Sequence, residues 1–276
     1  MRNARTYVAL LPVLLASLSS LAQEKPARPP VTVILCAFDA EATALNEAVT
    51  NPQERVFTGM RFITGELRGR HVAVAQTGIG KVNAAMVATA AILGFHPNEI
   101  VFSGIAGAIS PSLQPGDIVI GATVAQHDYG FLGPDGFHCK PTDHYLGGHN
   151  PLFFTPDGTL LKCAEVVAAK IPLGEVVGKE GPHMPKVTKG VIVTGDVFIA
   201  SSAKKTELIE TLKADAVEME GGAIAQVCHQ LKVPFIIIRS ISDNADENAN
   251  IDLGQFYKVA ATNSAKFVTE LVASLK

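Results

Sequence analysis

The chain has 276 residues, 47% of them hydrophobic, with a formal net charge of −3 and no tryptophan. That balance suits a packed globular domain. It provides neither the basic surface a polyanion needs nor the aromatic platform of a single-strand binder, so nucleic acid is an ill-suited partner.

Residues 1–22 read as a secretory signal, with Arg2 and Arg5 as the positive start, Val8 to Leu18 as the apolar centre and Ser20-Leu21-Ala22 as the cleavage site. The apolar run falls short of the roughly 18 to 20 residues that cross a bilayer. The expectation is therefore cleavage before Gln23, export to the periplasm or medium, and no membrane association after processing. Removal deletes two arginines and no acid, taking the charge from −3 to −5. Residues 23–30, QEKPARPP, read as a short extended tether, and residues 31–276 as a single domain.

Apolar, β-branched runs then alternate with helical patterns. Strands are predicted at Val31 to Ala37, His71 to Gln76, Ile100 to Ser103, Ile118 to Ala122, Gly190 to Thr194, Ala216 to Met219 and Phe235 to Ser240. Helices are predicted at Glu41 to Ala48, Asn83 to Leu93, Leu160 to Ala169, Ala203 to Leu212, Gly222 to Leu231 and Gln255 to Leu271. Strands without strict polar alternation are covered on both faces, which means a layered α/β fold. From His127 to Pro185 the sequence is rich in Gly, Pro and His and reads as a long surface excursion. Its histidines, with Cys139, match no zinc spacing, so no metal and no cofactor is expected. Cys36 and Cys228 read as small buried hydrophobes, whereas Cys139 and Cys163 are candidates for a disulfide in an oxidising compartment.

Three acids stand at the carboxyl ends of apolar strands, where open α/β sheets build their ligand crevices: Glu41, Glu220 and Asp243. Two glycine-bearing turns, Gln76 to Asn83 and Ser103 to Ala108, let backbone approach a ligand. The first is not a dinucleotide fingerprint, because Asn83 stands where the last glycine belongs. Taken with TGIGKVNAA and SGIAGA, the segments TGDVFIA, VEMEGGAIA and RSISDNAD resemble the nucleoside phosphorylase/nucleosidase superfamily, and within it the 5'-methylthioadenosine/S-adenosylhomocysteine nucleosidases.

The resemblance implies a three-layer nucleoside phosphorylase-like fold, α/β with a central mixed β-sheet flanked by helices, a homodimer, and hydrolysis of the N-glycosidic bond of an adenosine derivative. It casts Glu41 as the water-activating base, Asp243 as the acid serving purine N7, and Glu220 as the grip on the ribose hydroxyls. Met219 and Gly107 would line the ribose wall, Phe198 would stack on the purine, and the backbone of Ile199 would read its edge. Ser242 would orient Asp243, and Arg239 would help hold the water. Glu218 reads as a structural acid. Ile105 departs from the serine that many bacterial nucleosidases carry there. Phosphorylases of this superfamily have an Arg-bearing, Gly-rich loop after the first strand, whereas this chain has Cys36-Ala37-Phe38-Asp39-Ala40-Glu41, whose acids would repel phosphate. Phosphorolysis or another nucleoside substrate is the competing enzyme reading. A nucleoside-binding or storage protein is the non-enzyme reading, and the intact acid trio speaks against it.

Overall fold

The computed structural model describes residues 30–178 and 181–275, so the signal and nearly all of the tether lie outside the described residues. In chain order the elements are β1 (Val31–Cys36), α1 (Asp39–Ala48), β2 (Thr50–Phe57), β3 (Met60–Leu67), β4 (Arg70–Gln76), α2 (Lys81–Phe95), β5 (Glu99–Ala108), β6 (Ile118–Gln126), β7 (Gly130–Gly133), β8 (Gly136–Cys139) and α3 (Gly158–Ala168). They continue as β9 (Val176–Gly178), β10 (Gly181–His183), β11 (Val187–Thr194), α4 (Ser202–Leu212), β12 (Ala216–Glu218), α5 (Gly221–Leu231), β13 (Phe235–Asp243) and α6 (Ala249–Ser274).

Nine strands form one mixed sheet in the order β12-β11-β6-β13-β5-β1-β4-β3-β2. Strands β4, β1, β5 and β13 run parallel, and their apolar runs are buried as expected of strands covered on both faces. Strand β12 also pairs antiparallel with the end of β5, so β5, β13, β6, β11 and β12 close into a ring. Ala84, Val87 and Ala91 of α2 join Ile224 and Cys228 of α5 in one core. Leu45 of α1, Leu160 of α3 and Phe267 and Leu271 of α6 build the other. The result is the helix–sheet–helix layering that the sequence predicts.

The hairpin β2–β3 was not among the predicted strands. It sits at the sheet edge, and β2 (TNPQERVF) is almost wholly exposed, so no apolar periodicity marks it. Pro52 is tolerated because an edge strand has backbone amides facing solvent. The excursion is not bare loop either: it carries the hairpins β7–β8 and β9–β10 besides α3. Two of its histidines are occupied locally, His138 with Asp135 and His149 with Asp143, each at 2.9 Å. The disulfide candidate is corrected, since all four cysteines are free. Cys163 packs with the α3–α6 core, whereas Cys139 packs in a separate cluster beside α4 and donates its thiol to the Gln126 carbonyl at 3.2 Å.

Candidate active site

The parallel strands β4, β1, β5 and β13 present their carboxyl ends at the same edge of the sheet. At the end of β5, Gly107 is in register with Asp243 of β13 and with Val217 of β12, which places all three predicted segments side by side. A Cβ at position 107 would stand 2.7 Å from Asp243 Oδ1, so only glycine lets the carboxylate lie against the strand. Gly107, Phe198, Ile199, Met219 and Asp243 line a small cavity of about 30 Å³. Val197, Phe198 and Ile199 also border a larger outer cavity of about 450 Å³. Phe198 is 41% exposed, a ring offered to the opening rather than to the core.

Glu41 is fully buried in the first turn of α1. Its Oε2 accepts from the amides of Ala37 and Phe38 at 3.1 and 3.4 Å, which draws the carboxylate back over the end of β1, while its Oε1 has no protein partner. Burial pushes this carboxyl up from 4.5 to about 7, against the opposing pull of Arg239 and the two amides. A carboxylate near neutrality can accept a proton from water and still be regenerated at physiological pH. Phe38 packs edge-on against Tyr257 of α6, ring centroids 5.6 Å apart, and walls this side.

Asp243 is also buried. Its Oδ2 accepts from Ser242 Oγ at 2.8 Å and its Oδ1 from the Ala245 amide at 2.9 Å. Burial raises its proton affinity more than those two bonds lower it, and Asp252 and Asp246 add to the rise. A carboxylic acid that holds its proton above the ordinary aspartate range is suited to protonating a leaving purine. The Ser242 hydroxyl thus holds one oxygen of the Asp243 carboxyl in place.

Glu220 opens α5 and accepts from the amide of Gly80 at 2.8 Å through Oε1. Burial first, then the neighbouring Glu218, pushes its carboxyl up. Gly78 and Gly80 have φ of +77° and +95°, conformations that a side chain would strain, and this is how the TGIGK turn brings its amides to Glu220.

One assignment needs correcting. Arg239 does not present its guanidinium to the crevice. It is fully buried, donates to Glu218 Oε2 through Nη2 at 2.6 Å and Nε at 3.2 Å, donates through Nη1 to the carbonyls of Ile238 and Phe102, and lies 3.9 Å over the Phe102 ring. Gly104 makes room for it, since a Cβ there would stand 2.7 Å from Cζ. Its influence on the site is that of a fixed positive charge beneath Glu41, not of a ligand contact. Glu218 is the structural acid expected: it holds Arg239, takes the Thr194 hydroxyl, and accepts from the Glu220 and Gly221 amides at 3.1 and 2.7 Å. The sequence reading missed Thr194, whose hydroxyl also receives the Gly222 amide at 2.6 Å, and the polar set Lys81, Asp128 and Asp196 at the rim. Among the described residues no group of three or more His, Cys, Asp or Glu is arranged to hold a metal ion.

Residues 31–273 match the model of the phosphorylase superfamily. The chain is 36% identical over 245 residues to the 5'-methylthioadenosine/S-adenosylhomocysteine nucleosidase of Shewanella sediminis, covering 88% of this chain and 98% of that one. Among solved structures it resembles the Neisseria meningitidis enzyme of the same name in complex with methylthio-immucillin-A, at 35% identity and a TM-score of 0.75, covering 89% of this chain and 99% of the other. Futalosine hydrolase of Helicobacter pylori is similar to the same degree, at 33% identity, a TM-score of 0.75 and coverage of 89% and 98%.

Proposed function

The chain belongs to the phosphorylase superfamily, and from that premise we propose that its crevice hydrolyses the N-glycosidic bond of 5'-methylthioadenosine, S-adenosylhomocysteine or a related adenosine derivative and releases adenine. The protein is a purine nucleosidase. Glu41 takes a proton from water, whose oxygen bonds to the anomeric carbon. The bond from that carbon to purine N9 breaks, its electron pair passes into the purine, and Asp243 delivers a proton to N7. Free adenine and the free sugar result, and proton exchange with solvent resets both carboxyls. Glu220 holds the ribose hydroxyls while positive charge builds on the ring, Met219 and Gly107 close the sugar wall, Phe198 covers the base, and the Ile199 backbone reads the base edge.

The observation that carries hydrolysis over phosphorolysis is the occupation of the amides after β1. A phosphate nucleophile would need the Ala37 and Phe38 N–H groups and a free guanidinium, whereas Glu41 already takes both amides and Glu218 neutralises Arg239. The test is a nucleoside panel with the purified mature protein, with and without phosphate, monitored for adenine and for the sugar product. A sugar 1-phosphate would overturn the reading.

The exposed apolar residues Val82, Met86 and Leu93 on α2, with Ile79 in the turn just ahead of it, are from 50% to 76% exposed and support a second copy of the chain as the partner of this face. Sedimentation of the purified protein should give a dimer, and a monomer would refute it. The charge and apolar order of residues 1–22 supports export with cleavage before Gln23. N-terminal sequencing of the natively produced protein checks it, and an intact Met1 would refute it.

A further inference from the structure

We propose that Lys81 and Asp128 are positioning residues for the reaction, a charged clasp that holds the base-covering segment Asp196 to Ile199 in register with the ribose-side turn Gly78 to Lys81. The proposal rests on the reading of Phe198 and Glu220 as purine and ribose contacts.

The clasp is a closed ring of bonds between three segments that are distant in sequence. Asp128, just beyond β6, accepts Lys81 Nζ on Oδ1 at 2.6 Å and the Asp196 amide on Oδ2 at 2.8 Å. Asp196 returns the contact by accepting the Lys81 amide on Oδ1 at 2.8 Å. Lys81 Nζ also reaches Gln126 Oε1 at 3.2 Å. The next amide along the turn, that of Gly80, is the one given to Glu220. Two successive amides at the amino end of α2 are therefore claimed by two carboxylates, one from the sugar side and one from the base side, and the distance between those carboxylates is fixed by one peptide unit.

The surroundings agree with an ionised, ordered pair. The Lys81 and Asp128 side chains are 19% and 22% exposed. Burial alone would raise the Asp128 carboxyl, but the Lys81 bond and the Asp196 amide outweigh it and hold it below the ordinary range. Beneath the turn, a Cβ at Gly195 would run into the ring of the buried His127, so the segment rests directly on that imidazole. By contrast Val197 and Phe198 are 55% and 41% exposed and have little packing of their own to hold them. Without the clasp, the nucleoside would have to order this segment as it binds, and binding would bear that entropy.

Adenine affinity by titration calorimetry, read beside KM and kcat on methylthioadenosine, tests this with the wild type, Asp128→Asn, Lys81→Met, the double variant and Lys81→Arg. We expect each single loss to weaken adenine binding and raise KM about ten-fold, the effect of one charge-assisted bond, with kcat moving much less because Glu41 and Asp243 stand on other elements. The double variant should be no worse than either single, and Lys81→Arg, which keeps the charge, should recover most of the affinity. Thermal unfolding of each variant identifies any that simply fail to fold, in which case Lys81→Arg carries the test. Unchanged adenine affinity in Asp128→Asn, losses that multiply in the double variant, or no recovery in Lys81→Arg would overturn the clasp while leaving the nucleosidase reading intact. A wild type that neither binds nor releases adenine would overturn both.

Discussion

Replacing Glu41 by glutamine should abolish turnover and make the fold's stability less dependent on pH, so that the variant gains on the wild type as pH rises. The carboxyl is fully buried and its proton affinity is raised from 4.5 to about 7, so the folded protein holds this proton more tightly than the unfolded chain does. The associated stability is present below pH 4.5 and is lost as pH rises through about 7. At 1.36 kcal/mol per pH unit the loss is about 3 kcal/mol over the whole window, most of it between pH 5 and 8. Glutamine keeps an acceptor for the Ala37 and Phe38 amides but places an N–H₂ where Oε1 has no protein partner, a cost of about 1 to 3 kcal/mol that does not vary with pH. The difference in stability between variant and wild type should therefore shift in the variant's favour by about 2 to 3 kcal/mol between pH 5 and 8. In a domain of this size that corresponds to roughly 5 to 10 °C in relative Tm. Thermal unfolding of both proteins at matched concentration and several pH values measures it, with adenine release on the same preparations. Parallel Tm profiles would show that Glu41 is not a buried carboxyl with a raised proton affinity, and turnover within a few-fold of wild type would show that it is not the base.

Asp243→Asn should lower kcat on methylthioadenosine by about 10² or more, the usual contribution of a general acid, and lower it less on a nitrophenyl riboside whose leaving group needs no proton. Equal losses on both substrates would place Asp243 in binding alone. Glu218→Gln leaves the Arg239 guanidinium buried beside a neutral amide and should destabilise the protein by about 3 to 5 kcal/mol, visible as a lowered urea midpoint. A midpoint within error of wild type would refute the pairing. Turnover should be equal in phosphate-free and phosphate buffers, and a rate that scales with phosphate would identify the wrong nucleophile.

The parts of the fold that could be read in the sequence are those in which one strand or helix carries its own periodicity. The buried runs of β1, β5 and β13 announce themselves because they are mostly apolar or small, with Glu99 at the start of β5 and Arg239 and Asp243 in β13 as the charged exceptions. Strand β2 does not, since at the sheet edge its residues face water and TNPQERVF looks like a loop. Helix α6 begins at Ala249, six residues ahead of the predicted Gln255, because Asp252 and Gly254 suggest a turn while Asp252 in fact lies wholly buried in its first turns. The acids Glu41, Glu220 and Asp243 were legible from their places after strands. Arg239 was misassigned because its role depends on a partner 21 residues away, Glu218, and on the vacancy above Gly104, neither of which a linear pattern shows. The clasp around Asp128 joins residues 47 and 68 apart and carries no local signal at all.

The Arg239–Glu218 pair also bears on how the chain reaches its native state. Strand β13 brings a guanidinium into the middle of the sheet, and only the three-residue strand β12 brings the carboxylate that balances it. A half-assembled sheet with β5 and β13 joined but β12 undocked would hold a bare cation out of water, a species too costly to accumulate. Strand β12 also leads directly into Met219 and Glu220, so the acid proposed to hold the sugar arrives with the same docking event. Assembly around this sheet is thereby all or none with respect to activity. Residual turnover in a heated or denaturant-treated sample counts intact molecules, not a population of loosened but working ones.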